Sequence, residues 1–313
     1  MKRFVLVCSG GGVRGILSLQ FLSRLELHLG TPLFTMVDLV CGTSTGGFIA
    51  TGISTGMSCD EILNTFYTRE NAEYIFSNKK YLYYFGLTCK YSDKPKKHLL
   101  ENTFQKKTIH DVSIPLLIPT YNDTLSRLFC WSSIEMCNAY LKDILNATSA
   151  APLYFPTAKV HMVKPKRTDF INIQNILPNN NDIYIDGGVS ENDPCVLAYA
   201  YAKKIYPDDD IYVLSVGTGK SHIIENKDTK NPGLLEWLKH GFFDIIMDGA
   251  EYTHVIELEL LLGNKFLYCD LPIDNNTMDD TSKKNIDNLI NQGDIMWNNY
   301  VNHIDSFFNT LIN

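Results

Sequence analysis

Leu39-Val40-Cys41-Gly42-Thr43-Ser44-Thr45-Gly46-Gly47 decides how this chain is read. An apolar run ends on a glycine and Gly-x-Ser-x-Gly follows at once, which puts Ser44 at the apex of a strand-to-helix turn. A side chain presented on so sharp a turn leaves no room for Cβ atoms beside it, so Gly42 and Gly46 are the flanks that the geometry demands. A nucleophilic hydroxyl must sit at such an apex, and this makes the chain an enzyme candidate.

Outward from that turn, apolar runs bounded by turn residues predict strands near Phe4 to Cys8, Leu39 to Cys41, Ile114 to Thr120, Leu125 to Trp131, Ile183 to Ile185, Ile211 to Val216 and Lys265 to Cys269. Helical patterns fall between most of them. After Gly15, the residues Ile16, Leu19, Leu22, Leu25 and Leu29 recur every three or four positions and share one helix face. Ser58-Cys59-Asp60-Glu61 spells a capping box, with Ile62, Leu63, Phe66 and Tyr67 as the buried stripe behind it. Ile286, Leu289, Met296, Tyr300, Ile304, Phe307 and Leu311 predict one long amphipathic helix that either covers the sheet or lies on a membrane. Strands alternating with helices predict an α/β layered fold with a largely parallel sheet. The polar stretches 164–182, 220–233 and 274–284 read as surface loops, and none reads as a domain linker.

At 313 residues, 45% hydrophobic and 20% charged, the composition is that of an ordinary soluble globular chain. The formal net charge of -7, with a pI near 5.6, argues against a nucleic-acid partner, although Lys164, Lys166 and Arg167 leave room for a local basic patch. No apolar stretch approaches the roughly 18 to 20 residues that span a bilayer, so membrane contact is expected to be peripheral. Met1 to Cys8 has the charge of a signal peptide, but its apolar run stops at Ser9-Gly10-Gly11-Gly12 and reads as a first strand, so the expected location is the cytoplasm. The eight cysteines form no C-x-x-C pair, and Cys8, Cys41, Cys130 and Cys269 lie in or beside apolar runs. They read as buried free thiols in a reducing compartment.

A serine needs a base within hydrogen-bond reach and amide donors aimed at the oxyanion that forms when a carbonyl is attacked. Ser9-Gly10-Gly11-Gly12-Val13-Arg14-Gly15 brings consecutive glycines to a helix N-terminus, where free N–H groups favour negative charge. The same string satisfies Gly-x-Gly-x-x-Gly at Gly10, Gly12 and Gly15, a weak dinucleotide fingerprint. A Rossmann fold wants an acid at the end of the second strand; Cys41-Gly42-Thr43-Ser44 stands there, and Asp38 precedes the strand. Asp186-Gly187-Gly188 follows the apolar Ile183-Tyr184-Ile185, so its carboxylate can face a neighbouring strand end, although an Asp making an ordinary turn would be spelled the same way. None of the histidines stands out as a triad partner: His222 falls in a polar loop, and His240 and His254 fall in helical patterns. No H-x-x-x-H or H-E-x-x-H pair indicates a metal, and no cofactor is expected.

Taken in order, these motifs resemble the patatin-like phospholipases, serine lipid acyl hydrolases with a Ser-Asp dyad. The resemblance rests on Gly10 to Gly15, Gly42 to Gly47, Ala147-Thr148-Ser149-Ala150-Ala151-Pro152-Leu153-Tyr154-Phe155-Pro156, Asp186-Gly187-Gly188 with Asn192 and Pro194, and Leu214-Ser215-Val216-Gly217-Thr218-Gly219. It implies a three-layer αβα fold with a catalytic core over 1–219, and residues 220–313 as a C-terminal part packed on that core. It implies Ser44 as nucleophile, Asp186 as base, and amides of Gly11, Gly12 and Thr45 as the oxyanion hole, with a lipid or membrane interface as the substrate. Ser9 stands where many relatives have Asp, Thr148 replaces a common Ser, and Asp193 replaces an Asn. Arg14 reads either as a residue near the headgroup or oxyanion loop, or as a helix residue paired with an acid. Residues 147–156 read as acyl-channel lining or as tight packing, and Phe76 to Phe85, with Tyr81, Tyr83 and Tyr84, as a membrane-docking element or as core. Other serine acyl hydrolases, acyltransferases and a non-catalytic lipid-binding module remain competing classes. The sequence leaves the oligomeric state open.

Overall fold

A computed structural model describes residues 1–77, 79–166, 170–171, 173–174, 177–221, 242–275 and 277–312; for Tyr84, Phe85, Ser221 and 242–248 it describes the backbone alone. In chain order the first elements are β1 (Lys2–Cys8), α1 (Gly15–Leu29), β2 (Leu39–Gly42), α2 (Thr45–Ser54), α3 (Cys59–Phe66), α4 (Arg69–Ile75), α5 (Lys94–Phe104), β3 (Leu116–Asn122) and β4 (Arg127–Ser132). There follow β5 (Asn138–Ala139), α6 (Leu141–Thr148), β6 (Met162–Val163), β7 (Tyr184–Asp186), α7 (Cys195–Ile205), β8 (Asp210–Val216) and β9 (Lys220–Ser221). The last are α8 (Phe242–Leu262), β10 (Phe266–Cys269), β11 (Pro272–Ile273) and α9 (Lys283–Ile312).

The seven strands expected from apolar runs are the seven of the main sheet, whose order is β10-β8-β1-β2-β3-β4, with β7 added along β3. β10, β8, β1, β2 and β3 are parallel, and β4 and β7 run against β3. The parallel strands are buried on both faces, so their sequences are continuously apolar while their side chains still alternate. Phe4, Leu6, Tyr212 and Leu214 join the core under α1, α2 and α9, whereas Val5, Val7, Ile211 and Val213 pack toward α7 and α8. This is a three-layer αβα architecture.

The Ser58 capping box is present: Glu61 N donates to Ser58 Oγ at 3.2 Å and Ser58 N donates to Glu61 Oε2 at 2.8 Å. The long C-terminal helix covers the sheet. Its Phe307 and Phe308 meet the Phe4 ring edge-on, Trp297 meets Phe21, and Arg24 pairs with Asp294 at 2.7 Å. Of the expected surface loops, 164–182 is in part a structural strip. Ile171 and Ile173 pack on the second core cluster, and Gln174 Oε1 accepts from Cys130 N at 3.0 Å beside β4. A polar composition concealed this, because the strip is held through backbone and amide groups. Lys166 reaches Asp111 at 2.6 Å, while Arg167, His222, His240 and most of 220–233 lie outside the described residues.

One detail of register positions the site. β2 pairs with the start of β3 through Cys41 and Leu117, and β7 pairs with its far end, Thr120 opposite Asp186. Both lie on the same edge of β3 and run toward each other, so their ends meet head-on across Ile118 and Pro119. A proline fits there because no ladder partner needs its missing N–H.

Candidate active site

Ser44 occupies the end of β2 in that gap, and Asp186 closes β7 on the other side. Ser44 Oγ donates to Asp186 Oδ2 at 2.8 Å across 142 residues of chain, and both residues are buried. The serine sits at φ 53°, ψ -118°, a sparsely populated conformation for an L-residue and the N-cap of α2. Such strain persists only where the surroundings over-determine it. Here Ser44 N donates to Thr148 Oγ1 at 3.0 Å and Gly47 N donates to Ser44 O at 3.0 Å.

The flanking glycines are needed for close approach. A Cβ on Gly42 would stand 2.1 Å from Gly46 O, and one on Gly46 would stand 2.0 Å from Cys8 O and 2.8 Å from Ser9 O. These neighbours are backbone of the turn and of the strand end beside it, so neither can give way. We expect Gly46→Ala to destabilise the fold by about 3 kcal/mol, the upper end of overpacking effects, as read from its urea midpoint. A midpoint within experimental scatter of the wild type would refute this packing account.

Asp186 Oδ1 accepts from Gly188 N at 2.8 Å, and Asp186 N donates to Ala150 O at 3.1 Å. Burial pushes its carboxyl up to about 6, against the opposing pull of the Gly188 amide, the Ser44 hydroxyl and Lys96. Proton affinity in this range suits a general base near neutral pH better than an ordinary Asp does. Lys96, near the start of α5, is 2% exposed and lines the same cavity.

The glycine loop after β1 faces Ser44. Gly10 N donates to Asn192 O at 3.0 Å and Val13 N to Met278 O at 2.9 Å, whereas the Gly11 and Gly12 amides have no acceptor among the described residues. Gly11, Gly12 and Thr45 all line the cavity, and Thr45 opens α2, where first-turn amides lack intrahelical partners. Gly15 lies against the Thr45 hydroxyl, which pairs with Tyr67, and a Cβ on Gly187 would stand 2.4 Å from Pro119 O. Arg14 is buried, and donates from Nε to Gly11 O at 3.2 Å and from Nη1 to Gly219 O at 2.9 Å. It thus staples the glycine loop to the segment just after β8, and among the described residues these hydrogen-bond partners are carbonyls rather than an acid.

Two departures from the family pattern touch each other. Ser9 Oγ donates to Asp193 Oδ2 at 3.0 Å, and Ser215 Oγ donates to the same oxygen at 2.5 Å. The Asp193 carboxylate and the Ser9 and Ser215 hydroxyls thus form one buried cluster. Asp193 is raised by burial and by nearby Glu251. His254 meets Glu191 at 3.3 Å there, away from the Ser44 hydroxyl.

The cavity wall is apolar: Val13, Phe48, Phe66, Ile75, Phe76 and Phe155 contribute to it, and Met278 closes it from the C-terminal part. Sequence reading missed Met278, which lies in a polar loop, and Lys96; of 147–156, residues 149, 151, 152, 154 and 155 line the cavity, while Ala147 and Ala150 are core. Among the described residues no group of His, Cys, Asp and Glu could hold a metal ion.

A serine on a strand–helix elbow, bonded to a buried carboxylate at the floor of an apolar cavity in an αβα fold, defines a serine hydrolase of carboxylic esters. The chain belongs to the patatin-like phospholipase family, whose model matches residues 6–199. It is 30% identical over 279 residues to the cGAMP-activated phospholipase of Pseudomonas aeruginosa, covering 85% of this chain and 77% of that one. Patatin-like protein 2 of Oryza sativa is 28% identical over 360 residues, with 96% and 85% covered. The crystal structure of VipD from Legionella pneumophila shares the fold, at a TM-score of 0.51 and 12% identity over 97% of this chain and 67% of that chain.

Proposed function

We propose that this chain cleaves fatty-acyl esters of phospholipids or related lipids, with Ser44 as the nucleophile and Asp186 as its base. The observation that most supports this is the 2.8 Å bond between Ser44 Oγ and Asp186 Oδ2 on the floor of the apolar cavity. Ser44 Oγ attacks the acyl carbonyl as Asp186 takes its proton, and the oxyanion meets the amides of Gly11, Gly12 and Thr45. Collapse of the tetrahedral intermediate breaks the ester bond. Asp186 returns the proton to the leaving oxygen, freeing a lysolipid or alcohol. Water then gives its proton to Asp186 and attacks the acyl-serine, and as the second tetrahedral intermediate collapses Asp186 returns that proton to Ser44 Oγ, releasing the fatty acid and restoring both residues.

Lipid would be met at an interface. Tyr81, Leu82, Leu87 and Leu153 are exposed and adjoin one another: Leu87 N donates to Leu82 O at 3.2 Å, and Lys90 N donates to Leu153 O at 2.7 Å. Tyr154, the chain neighbour of Leu153, belongs to the cavity wall, so a bilayer seated on the patch would lie beside the acyl pocket. Contact would be peripheral, since among the described residues no helix is long and apolar enough to cross a membrane. A cytoplasmic location fits the eight cysteines, all free. Residues 1–219 would form the catalytic core and 220–313 a C-terminal part of the same domain, in keeping with β10 beside β8 and Met278 in the cavity.

The test is mass-spectrometric product analysis after incubation with vesicles of a mixed phospholipid extract. It is run with and without cGAMP, because the Pseudomonas relative is named for activation by that nucleotide. Free fatty acid with lysophospholipid is the expected result. Intact lipid under both conditions, with the protein folded, would refute the reading.

A further inference from the structure

Thr148, Ser149 and Ala150 form a bracket behind the two reacting side chains. Thr148 Oγ1 accepts from Ser44 N at 3.0 Å and donates to Pro119 O at 2.6 Å, while Ala150 O accepts from Asp186 N at 3.1 Å. The middle residue is pinned by a cation. Lys96 Nζ donates to Ser149 O and to Ser149 Oγ, each at 2.8 Å, and stands 4.2 Å from the centre of the Phe155 ring. An ammonium buried with only carbonyl, hydroxyl and aromatic partners carries a desolvation penalty that a solvated helix lysine does not. Such an arrangement fixes the spacing of residues 148 and 150, and with it the meeting of β2 and β7.

Resting on the reading of Ser44 and Asp186 as the reacting pair, we infer that Lys96 is a positioning residue for lipid hydrolysis, its ammonium holding the bracket and favouring the carboxylate form of Asp186. The charges acting on Lys96 are Asp186 from β7, and Asp93 and Lys97 from its own segment. Those acting on Asp186 are the Ser44 hydroxyl, the Gly188 amide and Lys96. Burial lowers Lys96 to about 7, above the value of about 6 for Asp186, so the lysine is still largely charged where the acid titrates.

The experiment compares wild type, Lys96→Met and Lys96→Gln in vesicle hydrolysis and fluorophosphonate labelling across the pH range in which Asp186 ionises. Lys96→Met is expected to lower kcat by about a hundredfold, the scale of a small misplacement of reacting groups, with KM little changed. Its acidic limb is expected to move to higher pH, because the carboxylate loses a neighbouring cation. Lys96→Gln keeps a donor for Ser149 without the charge, so it should recover part of kcat while its limb stays displaced. It also carries the measurement if the methionine variant does not fold. A folded variant whose acidic limb coincides with the wild type, or whose kcat is unchanged, would overturn the inference. A wild type that neither labels nor hydrolyses would overturn the parent reading instead.

Discussion

Ser44→Ala is expected to lose lipid hydrolysis by at least about four orders of magnitude in kcat, the scale seen when a nucleophile acting with its base is removed. Alanine retains the Cβ and the backbone of position 44, so the Thr148 and Gly47 hydrogen bonds to that backbone remain available. The fold should therefore survive, with thermal unfolding close to the wild type. Fluorophosphonate labelling should vanish at the same time, because among the described residues no other hydroxyl meets Asp186. Fatty-acid release within tenfold of the wild type would show that another group does the attacking.

Asp186→Asn should be almost as severe in turnover, with no loss of stability. The amide can still accept from Gly188 N, but it cannot take the serine proton. Its residual rate should be flat where the wild-type rate rises with pH through about 6. A buried carboxyl with a raised pKa binds its proton more tightly in the folded state, so the wild type pays a penalty that begins above the unfolded value of 3.8 and is complete above about 6. At neutral pH the penalty is on the order of 3 kcal/mol. Asparagine removes it, so the variant should be inactive and yet at least as stable as the wild type in denaturant at pH 7. A variant that is both inactive and clearly less stable would contradict this trade of stability for function.

The sheet could be read from sequence because its strands are buried on both faces. Val5-Leu6-Val7 and Val213-Leu214 show no polar alternation, and their apolar runs stop at glycines or polar turns. The largely parallel character was legible in the alternation of strands with helices, but which strands run the other way was not. β4 and β7 are apolar runs like the others, and only pairing shows that they oppose β3. Ser44 and Asp186 could be found because each is spelled with glycines that the local geometry requires. Lys96 was hidden in Lys94-Pro95-Lys96-Lys97, which reads as a solvated stretch, although Leu100 and Phe104 continue the same helix face at steps of four and were a usable signal. Met278 gave no such signal: a loop residue in a polar run has no periodicity. The link between Ser9 and Asp193 is likewise a property of the folded chain, since the two are separated by 184 positions.

The head-on meeting of β2 and β7 also bears on synthesis. A ribosome makes the elbow 142 residues before Asp186, which is then laid along β3, and Met278 comes later still. On the proposed reading, a growing chain would carry the serine without its proton acceptor, and the cavity without one wall, until residue 278 has emerged.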